Sequence, residues 1–448
     1  MNPKKITKTI SITLLILITI FLIYYIQLPN GRTIQGQEYQ ISEDSIEFIY
    51  DLTYEKNNTI THDHNIFNKI TELIQNAEDF LIVDFFLFGT TKQHNPLNRN
   101  LTQELTTALI NKKQSSPQMP IYFITDDYNV IDKPQNKPFI ESLKQNNINI
   151  IYTPLNTNSK TLNSLTRSLL KTSRKTLNHR KLLITNIDNQ ITTLITSANP
   201  HDQSSPNSNT AIIIKEKIWK DILNQEIKDA NIQDSKIQEF LNNFQEQPTN
   251  KSKPITVQYL ADNGLIHELK NQIDSTTKGN IINIAMFTLS DKSIINALTK
   301  ASKRKISINL ILDTNDFFFT QRKFGIPNKP ISEKLLKDSL NQINIRWYKS
   351  HGEQFHTKLI TIQNQTHTTI LTGSTNIANN NLKLYNLQSD IKITAPNNSS
   401  ITKNINNYLD KLWTNQNGIY TEDYKIYKSD SMFKKIRYEW SQFTRWFI

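Results

Sequence analysis

Two stretches of this chain can be laid over each other without a gap. NHRKLLITNIDNQITTLITSAN carries His179, Lys181, Ser197 and Asn199, and FHTKLITIQNQTHTTILTGSTN carries His356, Lys358, Ser374 and Asn376. Each Asn follows its His by twenty positions, and the frames are offset by 356 − 179 = 177 residues. A single His-x-Lys is a common accident. The same four residue types at the same spacing, twice, each on an alternating apolar segment, point to a duplicated unit.

The surrounding pattern repeats as well. Helical spacing over residues 66–74 precedes the apolar run FLIVDFFLF at 80–88, which has the length and β-rich content of a buried strand. A second helical stretch, 101–110, leads to a strand at 121–125 and then Asp126. In the other half the same order returns as 265–273, 281–289, 294–301 and 306–312, ending at Asp313. Helices alternating with buried strands predict an α/β fold with mixed sheets flanked by helices. The expected organisation is an anchor at 1–28, a polar stalk at 29–60, a first domain at 61–241 and a polar linker at 242–255. A second domain at 256–415 and a tail at 416–448 complete it.

Lys and Arg exceed Asp and Glu by 52 − 40 = 12 among 448 residues, which favours an anionic partner. With no cysteine, disulfides, thiolate metal sites and cysteine nucleophiles are excluded. Lys4, Lys5 and Lys8 precede an apolar run at 10–28 that ends in Tyr24-Tyr25-Ile26-Gln27. About 20 apolar residues span a bilayer as helix. With only Arg32 soon after the run, a single-pass anchor is expected, with the N-terminus cytoplasmic and the remainder outside. Near the other end, Phe433, Ile436, Trp440, Phe443 and Phe447 fall at helical spacing among Lys434, Lys435, Arg437 and Arg445. That pattern suits a helix lying on an anionic bilayer and equally a terminal helix packed on the core.

The paired HxK and SxN segments, with TSANPHD and NSNTAI after the first, resemble those of the phospholipase D superfamily, including bacterial cardiolipin synthase-like proteins. The resemblance spans roughly residues 60–415. It implies two pseudo-symmetric α/β domains whose motifs meet in one active site at their interface. It also implies a phosphodiesterase or phosphatidyltransferase working through a phosphohistidine, on phospholipid first and nucleic acid second. A phosphate-binding homologue with weak catalysis is a third reading. Two imidazoles can divide the roles of nucleophile and acid near neutral pH. His179 is expected to attack phosphorus and His356 to protonate the leaving group. Lys181, Lys358, Asn199 and Asn376 would clamp the phosphoryl oxygens, with Ser197 and Ser374 in support. No cofactor or metal is called for, and His62-x-His64 reads as incidental.

Two departures stand out. The family motif HxKxxxxD ends here in Asn186 and Gln363. The carboxylate that orients each histidine in the family is matched by Asn209 and Gln388, amides that can fix a tautomer without stabilising an imidazolium. Gln388 is expected behind His356, with Asp390 on the same strand face as a substitute carboxylate.

Overall fold

The computed structural model describes residues 32–90, 98–131, 133–153, 177–246, 251–318, 321–378 and 386–427. The first-half strands are β1 (Thr33–Ile41), β2 (Ile46–Asp51), β3 (Thr53–Lys56), β4 (Thr59–His62), β5 (Leu81–Phe85), β6 (Ile121–Thr125), β7 (Asn149–Tyr152), β8 (Lys181–Ile187), β9 (Gln190–Thr196) and β10 (Asn209–Ile214). In the second half they are β11 (Ile255–Asp262), β12 (Ile281–Met286), β13 (Ser307–Leu312), β14 (Phe317–Phe318), β15 (Gln321–Arg322), β16 (Ile343–Tyr348), β17 (Lys358–Gln363), β18 (His367–Gly373), β19 (Ser389–Pro396) and β20 (Thr421–Asp423).

Among the described residues these form two large sheets and two small hairpins. One sheet is ordered β2-β10-β9-β8-β5-β6-β7, the other β1-β11-β19-β18-β17-β12-β13-β16-β20. With β1 and β20 set aside, the two orders are the same. The repeat in the sequence is therefore a repeat of topology. In each sheet the three strands at one side are parallel and the rest are antiparallel. Parallel neighbours need crossovers, and helices supply them. They are α2 (Leu101–Ser115) and α3 (Lys137–Gln145) in the first half, after α1 (Asn65–Gln75) has led into β5, and α7 (Lys292–Lys303) and α8 (Asn328–Asp338) in the second, after α6 (Gly264–Asp274) has led into β12. Between the two sets lie α4 (Trp219–Ala230) and α5 (Ser235–Asn243), and α9 (Ser400–Thr414) follows β19.

Strand alternation decides which face each side chain serves. On β12, Ile282, Ile284 and Met286 enter the cluster under α6, α7 and α8, while Ala285 faces the other way. The matching outer face of the first sheet is covered by α1, α2 and α3. The inner faces share a third cluster, which runs from Ile82, Leu182 and Ile212 through to Val257, Leu359 and Ile391 and takes in α4, α5 and α9. A fully buried Leu or Ile stabilises by about 1.5–3 kcal/mol, so this shared layer binds one sheet strongly to the other.

Several expectations change. The segment read as a stalk is strand: β1 pairs antiparallel with β11 of the second sheet, and β2 pairs with β10 of the first. An edge strand with one wet face, TIQGQEYQI, is polar enough to read as loop. The strands expected to reach residues 88 and 289 stop at Phe85 and Met286. Beyond them Phe86 N–H donates to Arg180 C=O at 3.0 Å, and Phe287 N–H to Thr357 C=O at 3.0 Å, which carries each ladder one residue further, into the histidine segments. Part of the expected tail is β20, paired with β16. The anchor at 1–28 and the aromatic segment from 432 lie outside the described residues. Among the described residues no helix is long and apolar enough to cross a membrane.

One glycine is required by a close approach of two strands. Gly373, at φ 149°, ends β18 where a Cβ would lie 2.4 Å from Ser389 O and 2.5 Å from Asp390 Oδ1. Gly373→Ala should lower the unfolding free energy by roughly 1–3 kcal/mol, measured by denaturant titration.

Candidate active site

Lys181 and Lys358 are the first residues of β8 and β17, so each histidine lies just outside its sheet. What holds those approaches is the opposite sheet. His179 N–H donates to Leu387 C=O at 2.8 Å, and Leu387 N–H returns a bond to Leu177 C=O at 2.9 Å. In the mirrored position Ser208 N–H donates to Gln354 C=O at 3.0 Å, in a parallel bridge between Ser208 and Phe355. The segment entering each motif strand is thus sewn to the segment before β19 or β10 of the other half.

The imidazoles are braced across the same seam. His179 Nδ1 lies 3.0 Å from Gln388 Oε1, and His356 Nδ1 lies 3.2 Å from Asn209 Oδ1. The expectation that Gln388 stands behind His356 is therefore corrected: the braces are crossed. The reason is topological: Asn209 opens β10 and Gln388 directly precedes β19, and both of these strand starts face the histidine of the other half.

Hydrogen-bond supply fixes the tautomers. Ser374 Oγ accepts the Ser389 N–H at 2.9 Å, so its hydroxyl proton is left to donate to Gln388 Oε1 at 2.7 Å. Ser197 Oγ likewise accepts the Thr210 N–H at 3.1 Å and donates to Asn209 Oδ1 at 3.0 Å. Asn209 Nδ2 is occupied with Asn207 C=O at 3.0 Å, so its oxygen faces His356. An amide oxygen facing an unprotonated ring nitrogen would repel it, so with the amides oriented this way each neutral ring is favoured with its hydrogen on Nδ1 and its lone pair on Nε2. The two serines are thus parts of the braces.

Each lysine Nζ donates to the carbonyl of its own histidine at 2.7 Å. Two residues not singled out in the sequence complete the symmetry. Phe86 lies 4.9 Å from the His179 ring and 5.3 Å from Lys181 Nζ. Phe287 lies 5.2 Å from the His356 ring and 5.3 Å from Lys358 Nζ. Their signal was available, since each is the first residue after matching strands β5 and β12. Asn199 is buried, and its Oδ1 accepts the Leu87 N–H at 3.3 Å. Asn376 sits at the matching turn, its carbonyl accepting from Ala378 N–H at 2.9 Å as Asn199 accepts from His201 N–H at 2.8 Å.

The electrostatics follow from burial. Desolvation pushes both histidines well below their ordinary value, and the charges of Lys181 and Lys358 push them further. Desolvation also holds both lysines well below the usual ammonium range, against the pull of Asp390 on each. An anionic phosphoryl group placed among these four side chains opposes every one of those shifts.

Asp390 does not take over the amide's place. Its Oδ1 accepts Thr375 N–H at 2.9 Å and its Oδ2 the Thr375 hydroxyl at 2.5 Å, and burial pushes it up to about 7. Gln388 already occupies the line to the imidazole. Asn186, next to last in β8, and Gln363, last in β17, lie at the far ends of the strands, where Asn186 donates to Asp79 Oδ2 at 2.6 Å. His62 Nδ1 is engaged by Thr53 Oγ1 at 2.9 Å.

Residues 269–413 match the family described as cardiolipin synthase, PLD-like domain. A search of the curated proteins gives no match. The fold is similar to phosphatidylserine synthase of Haemophilus influenzae Rd KW20, with TM-score 0.64 at 13% identity, over 92% of this chain and 97% of that one. Nuc, a phospholipase D family member from Salmonella typhimurium, overlaps 37% of this chain and 97% of its own, at 20% identity and TM-score 0.28.

A carboxylate in place of a bracing amide should restore the missing charge. Asn209→Asp puts an anion on His356 Nδ1 and favours its protonated form, so the ring should titrate about one to three pH units higher. Ring-nitrogen NMR across pH reads this, and His179 should move less.

Proposed function

We propose, from the phospholipase D-like character of the chain in motifs, family match and fold, that it is a membrane-anchored phosphodiesterase acting on phospholipid, by hydrolysis or by transfer of the phosphatidyl group to an alcohol. The observation that carries this reading is the crossed pair of imidazoles, each braced at Nδ1 by an amide of the other half and each followed two residues on by a buried lysine. Phospholipid is favoured over nucleic acid because both the matched family and the similar full-length fold carry phospholipid-synthase names.

In this mechanism His179 Nε2 forms the P–N bond as the P–O bond to the departing alcohol breaks. His356 gives its proton to that alkoxide oxygen. Its neutral ring then takes a proton from water or an acceptor alcohol, whose oxygen attacks phosphorus and releases His179. Lys181 and Lys358 stabilise the charge gathering on the phosphoryl oxygens, with Asn199 and Asn376 as neutral donors. Because His356 is held low by burial and by the lysines, the proton it donates is acquired readily only once the substrate's charge is present.

The localisation proposed is an N-terminal segment in the membrane with the catalytic part outside the cytoplasm. Ser42 is buried and bonded to Glu216, so it is a poor labelling site, whereas Lys56 on β3 is exposed. Lys56→Cys should react with an impermeant maleimide in intact cells or spheroplasts. Labelling only after lysis would place the site in the cytoplasm.

Purified protein offered labelled phosphatidylglycerol, phosphatidylcholine and single-stranded DNA in parallel should turn over phospholipid. Cleavage of DNA alone would replace this reading with a nuclease. His179→Ala and His356→Ala should each lower turnover by at least about a thousandfold while circular dichroism stays unchanged. Acid-quenched peptide mapping should find the phosphoryl group on His179.

A further inference from the structure

The residue between His179 and Lys181 points away from the site. Strand alternation sends Arg180 into the interior, where its side chain is 1% exposed and pairs with Glu226 at 2.9 Å and Asp229 at 2.5 Å. Those carboxylates are one turn apart on α4. The same guanidinium stands 4.0 Å from Asp262 Oδ1, the last residue of β11. Arg32, entering β1, bonds both Asp262 at 2.7 Å and Asp229 at 2.8 Å.

Asp262 holds the backbone of Gln388 at two points. Its Oδ1 accepts the Gln388 N–H at 3.1 Å, and its own N–H donates to Gln388 C=O at 3.3 Å. To do so it adopts φ 58°, a left-handed conformation that costs a non-glycine residue about 1 kcal/mol or more. A strained residue with a carboxylate shared between two guanidiniums is anchored far more firmly than a strand end requires.

The other half shows what a strand end without this anchor looks like. Asp51 ends β2 directly opposite Asn209, as Asp262 ends β11 beside Gln388. Its Oδ1 accepts the Ile66 N–H at 3.1 Å at the start of α1, and burial pushes its carboxyl up to about 7. The ionic cluster stands behind one imidazole, His179.

We propose that Asp262, held by Arg180 and Arg32, is a positioning residue that fixes Gln388 and through it the orientation and tautomer of His179. The inference rests on the reading of His179 as the reacting imidazole. Arg180 carries the peptide next to His179, and Asp262 carries the peptide of its brace. The cluster therefore grips the 3.0 Å bond from both sides. With Asp262 in place, Gln388 Oε1 stays at Nδ1 and Nε2 is presented to phosphorus. Without its carboxylate, the Gln388 N–H loses its acceptor, the left-handed turn at 262 loses its ionic hold, and the ring can exchange tautomers.

The test uses the full chain and reads the ring nitrogens of His179 by NMR. The wild type should show one Nδ1–H tautomer above the ring pKa. Asp262→Ala should give a mixture with the Nε2–H form and lower kcat by about ten- to a hundredfold, with KM within about twofold because no group that contacts the phosphate is removed. Asp262→Asn keeps an acceptor for the Gln388 N–H and should recover most of the tautomer preference. Asp51→Ala, an equivalent strand-end loss, should lower the melting temperature while His179 stays as in the wild type. An unchanged His179 tautomer in folded Asp262→Ala overturns the proposal, as does an equal change in Asp51→Ala. If Asp262→Ala does not fold, Arg32→Gln decides, because Arg32 is partly exposed and its loss should still weaken the preference; an unchanged tautomer there overturns the proposal. If the wild type turns over no phosphodiester, the enzymatic reading fails, yet the ring shifts still decide the role of Asp262.

Discussion

Two hydrogen bonds, His179 to Gln388 and His356 to Asn209, each join an imidazole from one sheet to an amide from the other. They lie at the edge of the apolar layer shared by the two sheets. In such surroundings an unpaired imidazole or amide costs about 1–3 kcal/mol, so the polar pairs act as registration marks. Sliding one sheet against the other leaves four groups unsatisfied at once. The apolar layer supplies adhesion and the crossed pairs supply position. Neither half can brace its own histidine, so a competent site exists only when both sheets are docked in this register.

The choice of amides over carboxylates shapes the site's charge. Two buried lysines and two imidazoles face inward, with Asp390 bonded to Thr375 and Asp84 to Asn178 Nδ2 at 2.6 Å. Burial and the neighbouring Glu226 push Asp84 up, which weakens it further as a counterion. A carboxylate behind each histidine would have neutralised part of this positive potential. With amides, the compensating charge must come from an anion bound among these side chains, which would raise the histidines and lysines back toward their ordinary values.

The motif frame showed that the chain is duplicated, and the repeated apolar runs located β5, β6, β12 and β13 within a few residues. Those features are local in sequence, and short-range periodicity records them. The seam was not legible, because pairing Leu387 with Leu177 or Gln388 with His179 joins residues about two hundred positions apart. Phe86 and Phe287 hid inside runs that looked like uninterrupted strand. Arg180 carries no local signal of its role, because its burial against Glu226 is decided by the placement of α4. β1 was missed for the opposite reason, since an edge strand keeps half its residues wet.

The position of β1 also bears on how the molecule is made. Its partner β11 begins at Ile255, so more than two hundred residues separate the strand from the ladder it completes. A ribosome adding roughly 5–20 residues per second needs on the order of ten to forty seconds to cover that distance. For all of that time the nascent TIQGQEYQI segment has no β11 to pair with, while β2 needs only β10. The first sheet can close during synthesis, and the second must recruit its edge from the beginning of the chain. The Gln and Glu residues along β1 then have a kinetic use: they keep a waiting strand soluble and discourage it from pairing with a neighbouring chain.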